Sequence, residues 1–352
     1  MRSGVLAIVA ETAMRDATDR VAAAAGVAVV HVAKPPGRQA WNGALAVLLD
    51  VSAAAGCIAG RLPRRDHLVM LSGGAPSADD WKAAIAVGAK DVVALPAQEA
   101  RLVALLSEAV DSGGDAEPGG AVVAVMGSRG GAGASVFATA LAKSARHALL
   151  VDADPWSGGI DLVVGTEEKP GLRWPDLRVE HGRLDYSALR QALPRLNKLS
   201  VLSGVRAGNS VDAGPLAAVI DAGRRGGATV ICDLPRQMTS AVETAVDAAD
   251  LVMLVATADV GSCAAAAAVA SAIRAINPNV GLVVRGPSPA GLRAVDVARI
   301  VDLPLLAAMR AQPDLAAMLE RGGLRLGRRS PLAGAALRVL SVLAQHPSVE
   351  AA

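Results

Sequence analysis

The residues best placed to do chemistry in this sequence form a glycine-rich turn and three strand-end carboxylates. Residues 122–135 read VVAVMGSRGGAGAS and are followed by the helical pattern VFATALAKSAR. A strand that runs into such a turn and then a helix can cradle phosphate oxygens. Backbone N–H groups and the positive end of the helix both point at the anion. Glycine is required because a Cβ would block the approach and resist positive φ. An ordinary phosphate loop ends in Gly-Lys-Ser/Thr. Here the end is Gly133, Ala134, Ser135, so the lysine that would reach the outer phosphates is absent, while Ser135 keeps a hydroxyl for Mg²⁺. Two later apolar runs end in acids: 148–152 leads to Asp152 and Asp154, and 229–233 ends in Asp233. A carboxylate at a strand tip beside a phosphate loop can hold Mg²⁺ through water. The other reading of these residues is a turn that binds nothing, with carboxylates that cap helices and turns.

Positioning these groups at one edge requires a parallel sheet. Apolar runs at 121–126, 148–152, 199–202, 228–232, 251–256 and 280–284 read as its strands, with a short one at 304–306. Their uninterrupted apolar character fits a sheet buried on both faces, and ligands of such sheets bind at the carboxyl edge. The segment 166–198, with Trp174 and the only Tyr, Tyr186, gives the weakest pattern.

The first part of the chain repeats this logic on a smaller scale. Runs at 5–10, 27–32, 44–49, 67–72 and 91–95 read as strands. Helical patterns lie at 12–25, 79–87 (with Gly88 as cap) and 99–110. Five strands alternating with helices imply a doubly wound parallel sheet. The stretch SGGDAEPGG at 112–120 reads as a linker, which gives domains at 1–111 and 121–352.

Composition closes off several function classes. The chain has 352 residues, 52% hydrophobic, which is ample for sizeable cores and excludes global disorder. Only 2% are aromatic, too few for base-stacking platforms. The net charge of +2 implies neither general nucleic-acid affinity nor an acidic partner. Cys57, Cys232 and Cys263 lie far apart, unlike a disulfide framework or a metal site, and read as small buried hydrophobes. The first apolar run is too short for a signal peptide. Residues 251–273 read as a strand, a loop and an Ala-rich helix rather than a membrane span. The expected location is the cytoplasm, with a peripheral position at the inner face of the membrane, septum or pole as an option.

The order of these motifs resembles the MinD/ParA group of deviant phosphate-loop ATPases, whose loop is Lys-Gly-Gly-x-Gly-Lys-Ser/Thr. Residues 129–135, RGGAGAS, align with it without gaps, Arg129 and Ala134 standing where the family has lysines. The Arg/Ala variant, together with a receiver-like first domain, looks like the CpaE/TadZ branch. Within it, the chain most resembles the actinobacterial CpaE-like septum site-determining proteins, whose pattern 324–332, LRLGRRSPL, also matches. The implied fold is α/β: a receiver-like (flavodoxin-like) domain, then a P-loop NTPase domain of MinD/ParA type.

The resemblance implies ATP or ADP with Mg²⁺ as cofactor, and roles for matched positions. Gly130, Gly131, Gly133 and Ala134 would meet phosphates through their backbone. Ser135 would bind Mg²⁺, with Asp152 supporting the metal site and Asp233 holding it through water. Asp154 would position the attacking water, and Arg129 would carry the charge that family members extend to the partner subunit's nucleotide. Arg285 matches the arginine of an Asn-Arg pair near adenine, but Val284 stands in the Asn place.

Losing the loop lysine removes positioned positive charge, by analogy with about 3–4 kcal/mol per oxyanion donor, so weak or absent hydrolysis is expected. The implied function is a dimeric spatial organiser of a division septum or a pilus/secretion apparatus, with proteins of that machinery as partners. A nucleotide-free scaffold and a receiver-controlled adaptor are the other readings.

In the receiver-like domain, Asp50 stands at the phosphoacceptor position. Only Glu11 represents the acidic pair, and residues 95–97 (LPA) lack the expected lysine. A docking domain without phosphorylation is therefore expected. Arg321, Arg325, Arg328 and Arg329 could touch DNA or anionic lipid, or form a solvated face. Leu332, Ala336, Val339, Leu340 and Leu343 make an apolar helical stripe expected to pack on the sheet.

Overall fold

The computed structural model describes residues 4–60, 62, 65–115, 120–178, 184–206, 210–327 and 329–345. The chain forms two compact units that divide between Glu117 and Pro118. Of the 112–120 segment, residues 112–115 continue the helix Glu99–Asp115, and residues 116–119 lie outside the described residues.

The first unit is a five-stranded parallel sheet of order β2-β1-β3-β4-β5. Its strands are β1 Val5–Ile8, β2 Val29–His31, β3 Val47–Leu49, β4 Leu68–Ser72 and β5 Asp91–Ala94. Alternate residues feed opposite cores. Val5, Ala7 and Val9 join Leu102 and Leu106 on one face, while Leu6 and Ile8 join Trp41 and Cys57 on the other.

The second unit is an eight-stranded sheet of order β13-β12-β11-β6-β10-β7-β9-β8. Its strands are β6 Val122–Gly127, β7 Ala148–Asp152, β8 Arg195–Leu196, β9 Leu199–Leu202, β10 Thr229–Leu234, β11 Leu251–Thr257, β12 Val280–Gly286 and β13 Leu305–Arg310. All pairings are parallel except β8 with β9, a two-residue edge in the weakly patterned stretch. The expected strand at 304–306 extends over six residues because its ladder continues along β12 to Arg310.

The uninterrupted apolar runs work as expected for a sheet covered on both faces. Val122, Ala124 and Met126 enter one core with Leu149, Val230 and Leu254. Val123 and Val125 enter the other with Phe137, Leu141 and Ile231. The C-terminal helix Pro331–Gln345 covers that second face, burying Leu332, Ala336 and Val339, as its apolar stripe predicts. Among the described residues, no helix is long and apolar enough to cross a membrane.

Candidate functional site

β6 lies at the centre of its sheet, between β10 and β11, and the glycine-rich turn leaves its carboxyl end. The strand order switches sides at β6, with β7, β9 and β10 on one side and β11–β13 on the other, and the crevice at such a switch point is where parallel sheets take ligands. Gly131 has φ +75° and Gly133, the N-cap of helix Ala134–Ser144, has φ +99°, both in the left-handed region that favours glycine. A Cβ built at Gly130 or Gly131 would meet nothing within 4 Å, so this stretch of backbone is bare and open to a ligand. The N–H groups of Gly130 and Gly131 meet no acceptor among the described residues. The first N–H groups of the helix that follows lack intrahelical partners by geometry. Together they form a concave set of donors.

The base of the turn is pinned by residues that sequence reasoning did not single out. The Ser128 N–H donates to Val255 O at 2.9 Å. The Ser128 and Ser262 hydroxyls lie 2.8 Å apart, both fully buried, and Ser262 Oγ accepts from the Thr257 N–H at 2.9 Å. Asp259 caps the helix Val260–Arg274 by accepting from the Ser262 N–H. The readable signal was Asp259 followed at the third position by Ser262, opening an Ala-rich helix.

Ser135 and Asp233 come together behind the turn. The Asp233 carboxylate is 2% exposed, and the Ser135 hydroxyl nearby partly offsets the rise in its pKa. Burial, and then the nearby charge of Asp152, push the Asp233 carboxyl up to about 8. Its Oδ2 is buried with no hydrogen-bond partner. An orphaned carboxylate oxygen beside a serine hydroxyl suits a metal-bound water, so these residues fit Mg²⁺ held chiefly by a nucleotide's phosphates. Among the described residues, no group of three or more His, Cys, Asp or Glu could hold a metal ion by itself.

Asp152 pairs in register with Asp233 across β7 and β10, but its carboxylate faces a different task. It accepts from the Ile160 N–H at 2.8 Å, the Asp154 N–H at 3.2 Å and the Ser157 hydroxyl at 2.9 Å. It braces the loop 153–160. Burial raises its pKa, and these donors oppose the rise. Asp154 is half-buried on that loop and accepts from the Trp156 N–H at 2.9 Å. Its charge also raises Asp233, which places it beside the crevice. Trp156 next to it is 85% exposed. A buried network continues from Asp152 through Ser203 to Asp161, which is held by Arg206 at 2.9 Å and Arg173 at 3.3 Å.

Two arginines flank the turn. Arg129 ion-pairs with Asp259 at 2.8 Å and donates to Thr257 Oγ1 at 3.2 Å, so its charge is engaged within its own chain. The Thr257 hydroxyl, the Ser262 N–H and then Arg129 hold Asp259 below the usual carboxylate range. Arg285 lies next to the last residue of β12. Its Nη2 donates to Gly131 O at 3.0 Å. Val284 beside it is buried and offers no polar side chain.

In the first unit, Asp50 caps the helix Val51–Ala59. Its Oδ2 accepts from the Ala10 N–H at 2.7 Å, and its Oδ1 from Ser52 Oγ at 2.6 Å and the Ala53 N–H at 2.8 Å. Both oxygens are occupied and the side chain is buried. Among the basic cluster near the C-terminus, Arg321, Arg325 and Arg329 are exposed, and Arg328 lies outside the described residues.

Comparison with known proteins fits both units. Residues 8–117 match the family described as "Rv3660c-like, CheY-like N-terminal domain". The uncharacterized protein Rv3660c of Mycobacterium tuberculosis (strain ATCC 25618 / H37Rv) is 60% identical over 332 residues, covering 94% of this chain and 95% of that one. Among solved structures, a chain of the MinC:MinD cell division protein complex of Aquifex aeolicus superposes with a TM-score of 0.54 at 21% identity, covering 66% of this chain and 98% of that one. A ParA family ATPase from Chlorobium tepidum TLS gives 0.51 at 14% identity, covering 62% and 97%. The two folds are thus CheY-like and MinD/ParA-like.

Proposed function

The chain belongs to the family of Rv3660c, and from that premise we propose that it is a nucleotide-responsive spatial regulator: a receiver-shaped docking domain joined to a MinD/ParA-type switch. The observation that carries the reading is the Ser135–Asp233 pair, with its orphaned carboxylate oxygen, behind a turn of free amides.

In this reading Gly130, Gly131, Gly133 and Ala134 hold the phosphates of ATP or ADP through backbone N–H groups. Ser135 gives its hydroxyl to Mg²⁺, and Asp233 accepts from a water on the metal. Asp152 shapes the loop that carries Asp154, and Asp154 orients water for attack. Bound Mg²⁺ would supply charge neutralisation at the phosphates. With alanine at 134, hydrolysis is slow or absent, and the switch is read mainly as ligand occupancy.

A homodimer would form face to face over the turns, with Arg129 exchanging Asp259 for the neighbouring subunit's phosphates. Partners belong to the division or pilus/secretion machinery, as the CpaE-like resemblance implies. The exposed Arg321, Arg325 and Arg329 could add weak contact with DNA or an anionic membrane. The second reading is a nucleotide-free scaffold, favoured by Ala134 alone.

The test is calorimetric titration of the full chain with ATP and ADP, with and without Mg²⁺, beside sedimentation with ATP. Saturable Mg²⁺-dependent binding that Gly131→Val abolishes supports the switch. Absence of heat at millimolar nucleotide, with unchanged sedimentation, leaves the scaffold.

A further inference from the structure

We propose that Arg285 supplies the phosphate-neutralising cation that Ala134 cannot, acting on the nucleotide's phosphates from strand β12. The inference rests on the nucleotide-binding reading above.

Three observations converge. First, Arg285 reaches the turn itself: Nη2 donates to Gly131 O at 3.0 Å, and Nη1 lies 3.5 Å from where a Cβ on Gly133 would stand. The guanidinium therefore spans the two glycines whose positive φ shapes the cradle. Second, its charge is uncommitted. Arg285 forms no ion pair with a carboxylate among the described residues, whereas Arg129 is held by Asp259. Third, the path is built into the sheet. Arg285 pairs in register with Thr257 on β11, and β11 pairs with β6, so the arginine arises two strands, or roughly 10 Å, from the strand that bears the turn.

One guanidinium N–H on a carbonyl leaves four more donors. A carbonyl contact is the weaker use of such a group. A phosphate arriving at the amides of Gly130 and Gly131 would offer it a charge-assisted, bidentate partner within a short side-chain swing. The residue at 134 opens the helix Ala134–Ser144, so a lysine there and an arginine at 285 would approach the same anion from two elements.

The experiment titrates the full chain with ATP and, separately, with inorganic tripolyphosphate, both with Mg²⁺. Arg285→Ala should weaken both by the same factor, about tenfold to a hundredfold, the range for a charge-assisted hydrogen bond to an ion. ATP weakened with tripolyphosphate unchanged would place Arg285 at the base and overturn the proposal. Equal binding by wild type and Arg285→Ala would also overturn it. The double variant Ala134→Lys, Arg285→Ala decides between charge and support. Recovery of binding shows that charge is what was lost. Binding that stays lost makes Arg285 a prop for Gly131 and overturns the proposal. A wild-type chain that binds neither probe removes the nucleotide reading itself, a result distinct from failure of Arg285 alone.

Discussion

Asp152 and Asp233 are register partners on adjacent parallel strands, yet only Asp233 is left with an unpaired oxygen. Asp152 spends its lone pairs on Ser157, Asp154 and Ile160. Asp233 is as deeply buried but has only the nearby Ser135 hydroxyl to offset that burial. Two acids one strand apart therefore do different work: one shapes a loop, the other waits for a partner.

That difference sets a pH dependence. The folded Asp233 carboxyl titrates at about 8 against 3.8 for the unfolded chain. Between those values the folded state binds more protons, so stability falls as pH rises through the window. Mg²⁺ must displace that proton below pH 8. Affinity for Mg²⁺–ATP should climb by up to about tenfold per pH unit toward pH 8 and then level off. Calorimetry in buffers of different ionisation enthalpy checks this through the proton released on binding, and a binding heat that does not depend on the buffer would count against it.

Gly131→Val should cost about 1–2 kcal/mol in thermal unfolding, because a β-branched residue is forced to a φ near +75°. Space is no obstacle, since nothing lies within 4 Å of the new Cβ. The same atoms project into the cradle, so ATP binding should be lost while far-UV dichroism is unchanged. Full binding by this variant would remove the turn from the site.

Arg129→Ala should change monomer stability by less than about 1 kcal/mol, since the ion pair with Asp259 is half-exposed. Its predicted effect is on assembly. ATP-dependent sedimentation as a dimer should disappear while ATP affinity of the monomer stays within a few-fold. Dimerisation that survives the substitution would confine Arg129 to its intrachain role.

Asp50→Ala should lower the melting point of the first unit, losing about 1 kcal/mol for the helix cap and more for the Ala10 N–H left without its acceptor. Incubation of the wild type with acetyl phosphate and Mg²⁺ should add no phosphoryl mass to Asp50, because both oxygens already accept hydrogen bonds. A stoichiometric phosphoryl adduct would restore the receiver-controlled reading.

Much of this fold was legible because the strands are apolar without interruption. Residues 122–126, 148–152 and 251–256 could hardly be anything but doubly covered strands. The ends of strands were less legible: β13 runs to Arg310 because ladder bonds to β12, not hydrophobicity, extend it. β8 was invisible, as two residues paired antiparallel leave no periodic trace. At the site, the glycines and strand-end acids could be read from type and spacing. The anchoring of Ser128 by Ser262 and the placement of Arg285 on Gly131 could not. Each joins residues more than a hundred positions apart, and only the strand order brings them together.

The Ser128–Ser262 hydroxyl contact carries a consequence for how such a protein can change over generations. The turn's shape depends on that buried pair, on the Val255 carbonyl and on two glycines. None of these involves position 134. The architecture of the cradle and the identity of its cation are thus inherited separately. A lineage can therefore change the half-buried side chain at 134 without disturbing the shape of the turn.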